Sequence, residues 1–239
     1  MGKLQGTEYY ISKGMGRAIM DYEMLTAKDR IGVAVSGGRD SLVLLRLLVD
    51  RKAFVPIEHD LVAIHIDLGY PQSISAKLEK HFKKLNVEYK IVKTDILKKT
   101  KKSKINCSWC SGNRRKELFL AAHRLGCTKI ALGQHLDDIT ETLLLNLFFR
   151  GKISTLAPKQ ELSKGKLTLI RPLAYVEERL IKSFAQEIKL AHQACVCPQA
   201  DTDHRKRMGR IIQELEKTSP DIKKNIFRSL KRVKKDYLL

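Results

Sequence analysis

Residues 36–41 read Ser36-Gly37-Gly38-Arg39-Asp40-Ser41, between the apolar run 31–35 and an apolar helical pattern over 42–49. Two glycines at such a junction let the main chain approach phosphate oxygens without a clashing Cβ. Their N–H groups, with the N-terminus of the following helix, offer donors and a positive dipole end to an anion. Ser36 and Ser41 add hydroxyls, and Arg39 carries a charge suited to a pyrophosphate. The spacing matches neither the G-x-G-x-x-G dinucleotide fingerprint nor the G-x-x-x-x-G-K-[ST] loop.

A second polar group is Gly133-Gln134-His135-Leu136-Asp137-Asp138, after an apolar run at 129–132 and ahead of a long apolar helix over 137–149. Carboxylates in a first helical turn complement the dipole. Beside a phosphate loop they also suit Mg²⁺, which takes few carboxylates plus phosphate oxygens. Asp137 is the better magnesium candidate of the two. His135 either positions substrate or is a satisfied structural histidine. Asp67 closes the run 61–66, and ligands bind at such carboxyl ends of parallel strands. Residues 66–69 are therefore expected near an adenine or ribose, with a plain turn as the alternative for Asp67.

The five cysteines are Cys107, Cys110, Cys127, Cys195 and Cys197. An odd number, with two close pairs far apart in sequence, reads as metal or cluster ligation rather than a disulfide framework. Cys107 and Cys110 have the C-x-x-C spacing that grips one metal or cluster, and a helix N-terminus lowers thiol pKa. One of Cys195 and Cys197 is expected to complete the site. Three thiolates leave an open position, as in a 4Fe-4S cluster with one free iron. A structural zinc would want a closed set of four, and a redox dithiol is the third reading. Cys127 is expected to be a small buried filler.

These residues need a scaffold. Apolar runs at 31–35, 61–66, 88–92, 129–132 and 167–170 alternate with helical patterns at 42–49, 75–85, 113–125 and 137–149. That alternation predicts an α/β fold, a doubly wound and mostly parallel sheet covered on both faces. An amphipathic helix over 13–26 precedes it. Helices over 177–191, 202–216 and 220–234 follow, the last with Ser219 as cap and Pro220 at its first turn. The expected organisation is an N-terminal helical segment (residues 1–27), a phosphate-loop α/β domain (28–175) and a basic C-terminal helical extension (176–239) suited to a polyanion.

Composition narrows the partners. The chain has 239 residues, 46 Lys and Arg against 26 Asp and Glu, and a formal net charge of +20. Such basicity points to a polyanion, because lysine and arginine release counterions from a phosphate backbone. The run Lys98-Lys99-Thr100-Lys101-Lys102-Ser103-Lys104 is a solvated loop or a phosphate contact. No apolar run approaches 18 residues and no apolar leader opens the chain, so neither a membrane span nor secretion is expected. The reading is cytoplasmic.

Residues 36–41 resemble the PP-loop, S-G-G-x-D-S, of enzymes that split ATP to AMP and pyrophosphate. Residues 133–138 resemble the family's G-H-H-x-D-D element, with Gln134 in place of the first histidine. Arg39 stands where the family has lysine, which keeps the charge but exchanges an ammonium for a planar fork. Taken with Gly16-Arg17-Ala18-Ile19-Met20-Asp21-Tyr22, Cys107 and Cys110, Ile170-Arg171-Pro172-Leu173 and Asn225-Ile226-Phe227-Arg228-Ser229-Leu230, the chain resembles the tRNA 2-thiocytidine synthetases over nearly its whole length.

That resemblance implies an adenine nucleotide alpha hydrolase-like fold, with ATP, Mg²⁺ and a 4Fe-4S cluster as cofactors. It implies tRNA as partner, and sulfide or a cysteine desulfurase as sulfur donor; a homodimer is compatible with it. The implied nucleotide site is Ser36, Gly37, Gly38, Arg39, Asp40, Ser41, Asp67, Gly133 and His135, with Arg39, Asp40 and Asp137 catalytic and Mg²⁺ held near Asp40 and Asp137. Cys107, Cys110 and Cys197 would hold the cluster, with Cys195 as the alternative third ligand. Rival readings are a 2-thiouridine synthetase, a lysidine-type ligase, and an RNA-binding iron–sulfur redox sensor without turnover.

Overall fold

The computed structural model describes residues 6–53, 55–69, 73–96, 107–162, 165–192 and 203–237. Helix α1 (Gly6–Asp21) leads into β1 (Asp29–Ala34), α2 (Arg39–Arg51), β2 (His59–Asp67), α3 (Ser75–Lys84) and β3 (Glu88–Lys93). The chain continues through α4 (Cys107–Arg124), β4 (Lys129–Ala131), α5 (Leu136–Arg150), β5 (Lys159–Leu162) and β6 (Leu167–Ile170). Helices α6 (Glu178–Glu187), α7 (Asp203–Glu216) and α8 (Ile222–Ser229) complete it, with a 3₁₀ turn at Lys235–Tyr237. Among the described residues, no helix is long and apolar enough to cross a membrane.

The six strands form one sheet in the order β3-β2-β1-β4-β6-β5. Every pairing is parallel except β5 with β6. The central strands β1, β2 and β4 are largely buried on both faces, as strands covered on two sides must be, whereas the edge strand β3 is half exposed. Along β2, Leu61 and Ala63 enter the core shared with α1, α2 and α6, whereas Val62, Ile64 and Ile66 face the layer of α4, with Leu118, Ala121 and Ala122. The same first core takes in Ile181, Phe184 and Ala185 of α6 and Phe227 of α8. A buried ion pair, Lys129 Nζ to Asp29 Oδ2 at 2.5 Å, ties β4 to β1.

Strand order reverses between β1 and β4. Successive connections leave that point in opposite directions, so the loops after the two strands splay apart and open a crevice. Residues 35–38 and 132–135 are those loops.

Several boundaries differ from expectation. Helix α1 covers Gly6–Asp21 rather than residues 13–26. Its buried residues Ile11, Met15, Ala18 and Ile19 extend the helical spacing toward the N-terminus. Helix α4 starts at Cys107, six residues before the predicted start, so the C-x-x-C lies inside its first turn. The final helix ends at Ser229, well short of residue 234, and Asp221 rather than Ser219 occupies its N-cap. Strand β5 was not expected at all: Lys-Gln-Glu-Leu is a polar antiparallel edge with no apolar run to betray it.

Candidate active site

The loop after β1 is shaped by its own hydrogen bonds. Ser41 Oγ donates to the Gly38 carbonyl at 2.8 Å, and Ser36 N–H donates to Ser41 Oγ at 3.2 Å. Gly38 N–H donates to Ser36 Oγ at 3.2 Å. Gly37 has φ +91°, a left-handed conformation that strains any side chain, so the turn favours glycine. Helix α2 then begins at Arg39, its first turn facing the crevice. Across the crevice, a Cβ on Gly133 would sit 2.9 Å from the Ser41 nitrogen and 3.0 Å from the Asp40 oxygen. The two loops are therefore in backbone contact.

They share a cleft of about 570 Å³. Ser36, Gly38, Asp40, Ser41, Gly133, Gln134 and Asp138 form one wall, and Ile64 and Ile66 supply an apolar floor. Ser111, Arg114, Arg115, Leu118 and Phe119 of α4 line the cleft too. Arg171, past the end of β6, also reaches in. Cys110 immediately precedes Ser111 and is buried at 7% exposure. The cysteine-bearing helix end and the phosphate loop thus border one space.

The predicted nucleotide residues divide accordingly. Ser36, Gly38, Asp40, Ser41 and Gly133 border the cleft; Gly37, Arg39, Asp67 and His135 are not among its lining residues. Arg39 donates to Glu178 Oε1 at 2.7 Å and to Asp40 Oδ1 at 3.1 Å, which ties the loop to the start of α6. Asp67 accepts from Ser73 Oγ at 2.5 Å, Ser75 Oγ at 2.6 Å and Gly69 N–H at 2.9 Å. Burial would raise its pKa, but these three donors lower it below the ordinary carboxylate value. It organises the turn into α3, while its neighbour Ile66 faces the cleft.

Of the adjacent carboxylates, Asp138 lines the cleft and Asp137 does not. Asp137 Oδ1 takes an ion pair from Lys223 at 2.7 Å, and its Oδ2 accepts the Glu178 N–H at 2.7 Å. Burial opposes ionisation there, yet His135, Lys223 and that N–H hold the carboxyl well below its usual range. Asp138 Oδ2 accepts the His135 N–H at 3.2 Å, which caps α5. The buried His135 ring has Nδ1 3.6 Å from Asp137 and Nε2 3.4 Å from Asp138. Burial pushes His135 down, but Asp137, Asp138 and Asp40 outweigh it and its pKa is raised. Among the described residues no three His, Cys, Asp or Glu side chains gather to hold a metal ion.

Arg171, Arg114, Arg115 and Ser111 line the site without having been named as site residues from sequence, and Gln134 and Asp138, weighed there only as members of the 133–138 motif, line it too. Arg171 is 4% exposed and donates to Gln134 Oε1 and to the Ala157 carbonyl. Burial lowers its pKa to about 10, still far above neutrality, so it brings a fixed positive charge. Its place after β6 in an Ile-Arg-Pro-Leu run was the available signal, since strand carboxyl ends line such crevices. Cys127 is buried as expected, and burial pushes its thiol up to about 11. The side chain of Cys107, together with Cys195, Cys197 and the lysine run 98–104, lies outside the described residues.

A phosphate cradle at the switch point of this sheet, in backbone contact with a second carboxylate-bearing loop, defines a PP-loop nucleotide-binding domain. A family model for the PP-loop domain matches residues 12–213, and the chain belongs to that family. Within it, the chain belongs with the tRNA-cytidine(32) 2-sulfurtransferases. It is 40% identical to the protein of that name from Geobacter sulfurreducens, over 96% of this chain and 91% of the relative. The Geobacter metallireducens protein is 42% identical over the same shares. Among solved structures, the U34-tRNA thiolase NcsA from Methanococcus maripaludis, determined with its [4Fe-4S] cluster, superposes with a TM-score of 0.78 at 26% identity, covering 97% of this chain and 80% of that one. The NH3-dependent NAD synthetase from Campylobacter jejuni, at 15% identity and a TM-score of 0.50 over 96% of this chain and 95% of that one, shares the fold alone.

Proposed function

We propose that the chain thiolates a tRNA base, C2 of the cytidine at position 32, by activating the base oxygen with ATP and replacing it with sulfur. The observation that carries the reading is the single cleft bordered both by Ser36, Gly38 and Ser41 and by the Cys110-bearing start of α4. Activation and sulfur delivery must act on the same carbon, so the two functions need a common space.

The cytosine O2 attacks the α-phosphate of ATP, and pyrophosphate leaves. The backbone N–H groups at the start of α2 donate to phosphate oxygens, and Arg114, Arg115 and Arg171 offset negative charge that grows on them. Asp40 and Asp138 are the carboxylates at the cleft suited to a Mg²⁺ shared with the phosphates. Asp137, which sequence alone favours for that ion, serves in this reading as the anchor of the α5 N-terminus. Sulfur then adds at C2 and AMP departs with the original oxygen. The target base must be unstacked to reach the cleft, and an anticodon-loop nucleotide permits this at modest cost.

Cys110 fits a cluster ligand in donor chemistry and place, a buried sulfur next to the cleft wall. Cys107 and Cys197, with Cys195 as alternative, would complete the set. Such a cluster, three-coordinated by protein, would supply a sulfide-binding iron. The chain's own part is to hold the base and ATP against it and to exclude water. Pyrophosphate release tests the reading. Multiple-turnover release is expected to require tRNA, ATP and sulfide together with anaerobically prepared protein, because the adenylated base must be resolved by sulfur before the next ATP is used. Release without tRNA, or an equal rate for Cys110→Ala, would contradict it; the latter would favour a lysidine-type ligase.

A further inference from the structure

Two segments that family resemblance singles out, but that nucleotide chemistry does not use, meet in space. Arg17, from the Gly-Arg-Ala-Ile-Met-Asp-Tyr stretch of α1, and Arg228, from the Asn-Ile-Phe-Arg-Ser-Leu stretch of α8, line a second cavity of about 300 Å³. Gly14, Leu136, Tyr175, Lys224, Phe227, Lys231 and Arg232 complete it. We propose that this cavity is a phosphodiester-binding site for the substrate RNA, separate from the ATP cleft. The proposal rests on the tRNA-modifying function inferred above.

Five cations border the cavity, and little offsets them. Lys224 pairs with Asp221 at 2.7 Å. Arg17, Arg228, Lys231 and Arg232 make no ion pair among the described residues. Two carboxylates lie near these five cations: Asp21, which accepts the Tyr175 hydroxyl at 2.9 Å, and Asp221, whose charge also acts on Arg228. Five cations against two carboxylates leave a net positive patch, and an external anion relieves its self-repulsion.

Aromatic faces hold two of the cations in place. The Arg17 guanidinium lies 5.7 Å from the Tyr175 ring centre, and the Lys231 ammonium 4.3 Å from that of Tyr22. Cation–π contacts fix side-chain direction without using up the N–H donors. Tyr175 in turn packs edge-on against the buried Phe227, at 5.3 Å between centres, so the cavity wall is rigid. Charge spread across two helices exceeds what one small anion neutralises and suits a chain of phosphates.

Location agrees with this. Leu136 lines the cavity, and Gly133, three residues earlier, lines the ATP cleft. That separation spans at most roughly 10 Å of chain. A strand of RNA held at Arg17 and Arg228 therefore passes beside the loop that borders the activated base.

The test is binding of unmodified tRNA at several salt concentrations, with a fluorescent ATP analogue measured on the same preparations. Arg17→Gln with Arg228→Gln is expected to weaken tRNA binding about tenfold or more. It should also lower the slope of log affinity against log salt by about 1.5 to 2, one phosphate contact for each cation removed. Arg17→Lys with Arg228→Lys is expected to restore most of the slope. All five positions are exposed apart from the aromatic wall, and retained ATP binding will verify the fold. If the wild type binds tRNA and the double glutamine variant keeps its slope, this site is overturned while the enzymatic reading stands. If the wild type itself shows no salt-dependent tRNA binding, both fall.

Discussion

Lys223, near the end of the chain, donates to Asp137 at 2.7 Å, in the first turn of the helix that follows Gly133. Its ammonium also reaches Glu216 at 3.0 Å, so one lysine clamps α8 to both α5 and α7. Arg205 of α7 adds a hydrogen bond to Thr142 at 2.9 Å and sits 3.7 Å from Asp138. The C-terminal helices are thus built into the wall behind the active-site loop.

Removal of Lys223 should cost stability. Its side chain is 11% exposed and that of Asp137 is 13%, so Lys223→Met strands a nearly buried carboxylate. The expected loss is about 3 kcal/mol, read from the urea midpoint at neutral pH. Because folding depresses the Asp137 pKa, the contribution is full above the unfolded carboxylate value of about 3.9 and fades as pH falls through the folded value. The gap between variant and wild type should therefore shrink in acid. An unchanged midpoint at neutral pH would show that the pair does not hold the helices.

Glu141 gives the opposite pH signature. Burial raises its pKa to about 7, Arg205 lowers it only in part, and Asp138 and Asp137 push it further up. A carboxyl whose folded value lies above its unfolded value stabilises below the unfolded value and loses that stability as pH rises through the folded one. Wild-type stability should fall between about pH 4.5 and 7, and Glu141→Gln should flatten that slope. Parallel pH profiles for the two proteins would refute the assignment.

Gly133→Ala probes the contact between the two loops. The added methyl meets the backbone of Ser41 and Asp40 at 2.9 and 3.0 Å, which side-chain rotation cannot relieve. ATP affinity is expected to drop about tenfold or more, about 1.4 kcal/mol, in equilibrium titrations. Wild-type affinity in a folded variant would mean that the loops need not touch for nucleotide to bind.

Arg171→Met removes a buried charge and leaves Gln134 Oε1 and the Ala157 carbonyl without that donor. Each unsatisfied buried acceptor costs about 1–3 kcal/mol. The melting temperature should fall and the pyrophosphate-release rate with it. A variant with normal stability and full rate would remove Arg171 from the site.

The parallel α/β sheet and its crevice were legible because buried parallel strands write themselves as apolar runs, and the glycine-serine loop lies at the first strand-to-helix junction. Edge strand β5 was not, since one covered face and four polar-flanked residues leave no periodic signal. The exchange of roles between Asp137 and Asp138 could not be read from adjacency: consecutive residues in a helical turn point about 100° apart, and only the packing of α6 and α8 decides which one faces the cleft. The Arg171–Gln134 pairing escaped for a related reason, because it joins two loops distant in sequence. Arg39 carried the charge expected of the loop, but Glu178 of α6, unforeseeable from local pattern, takes its guanidinium.

The most direct measurement is nucleoside analysis of unmodified tRNA after incubation with anaerobically prepared protein, ATP and sulfide. The account predicts 2-thiocytidine in the product with wild-type protein, and none with Cys110→Ala or when ATP is withheld. Thiolation that survives Cys110→Ala, or wild-type protein that leaves cytidine unmodified with every component present, would contradict it.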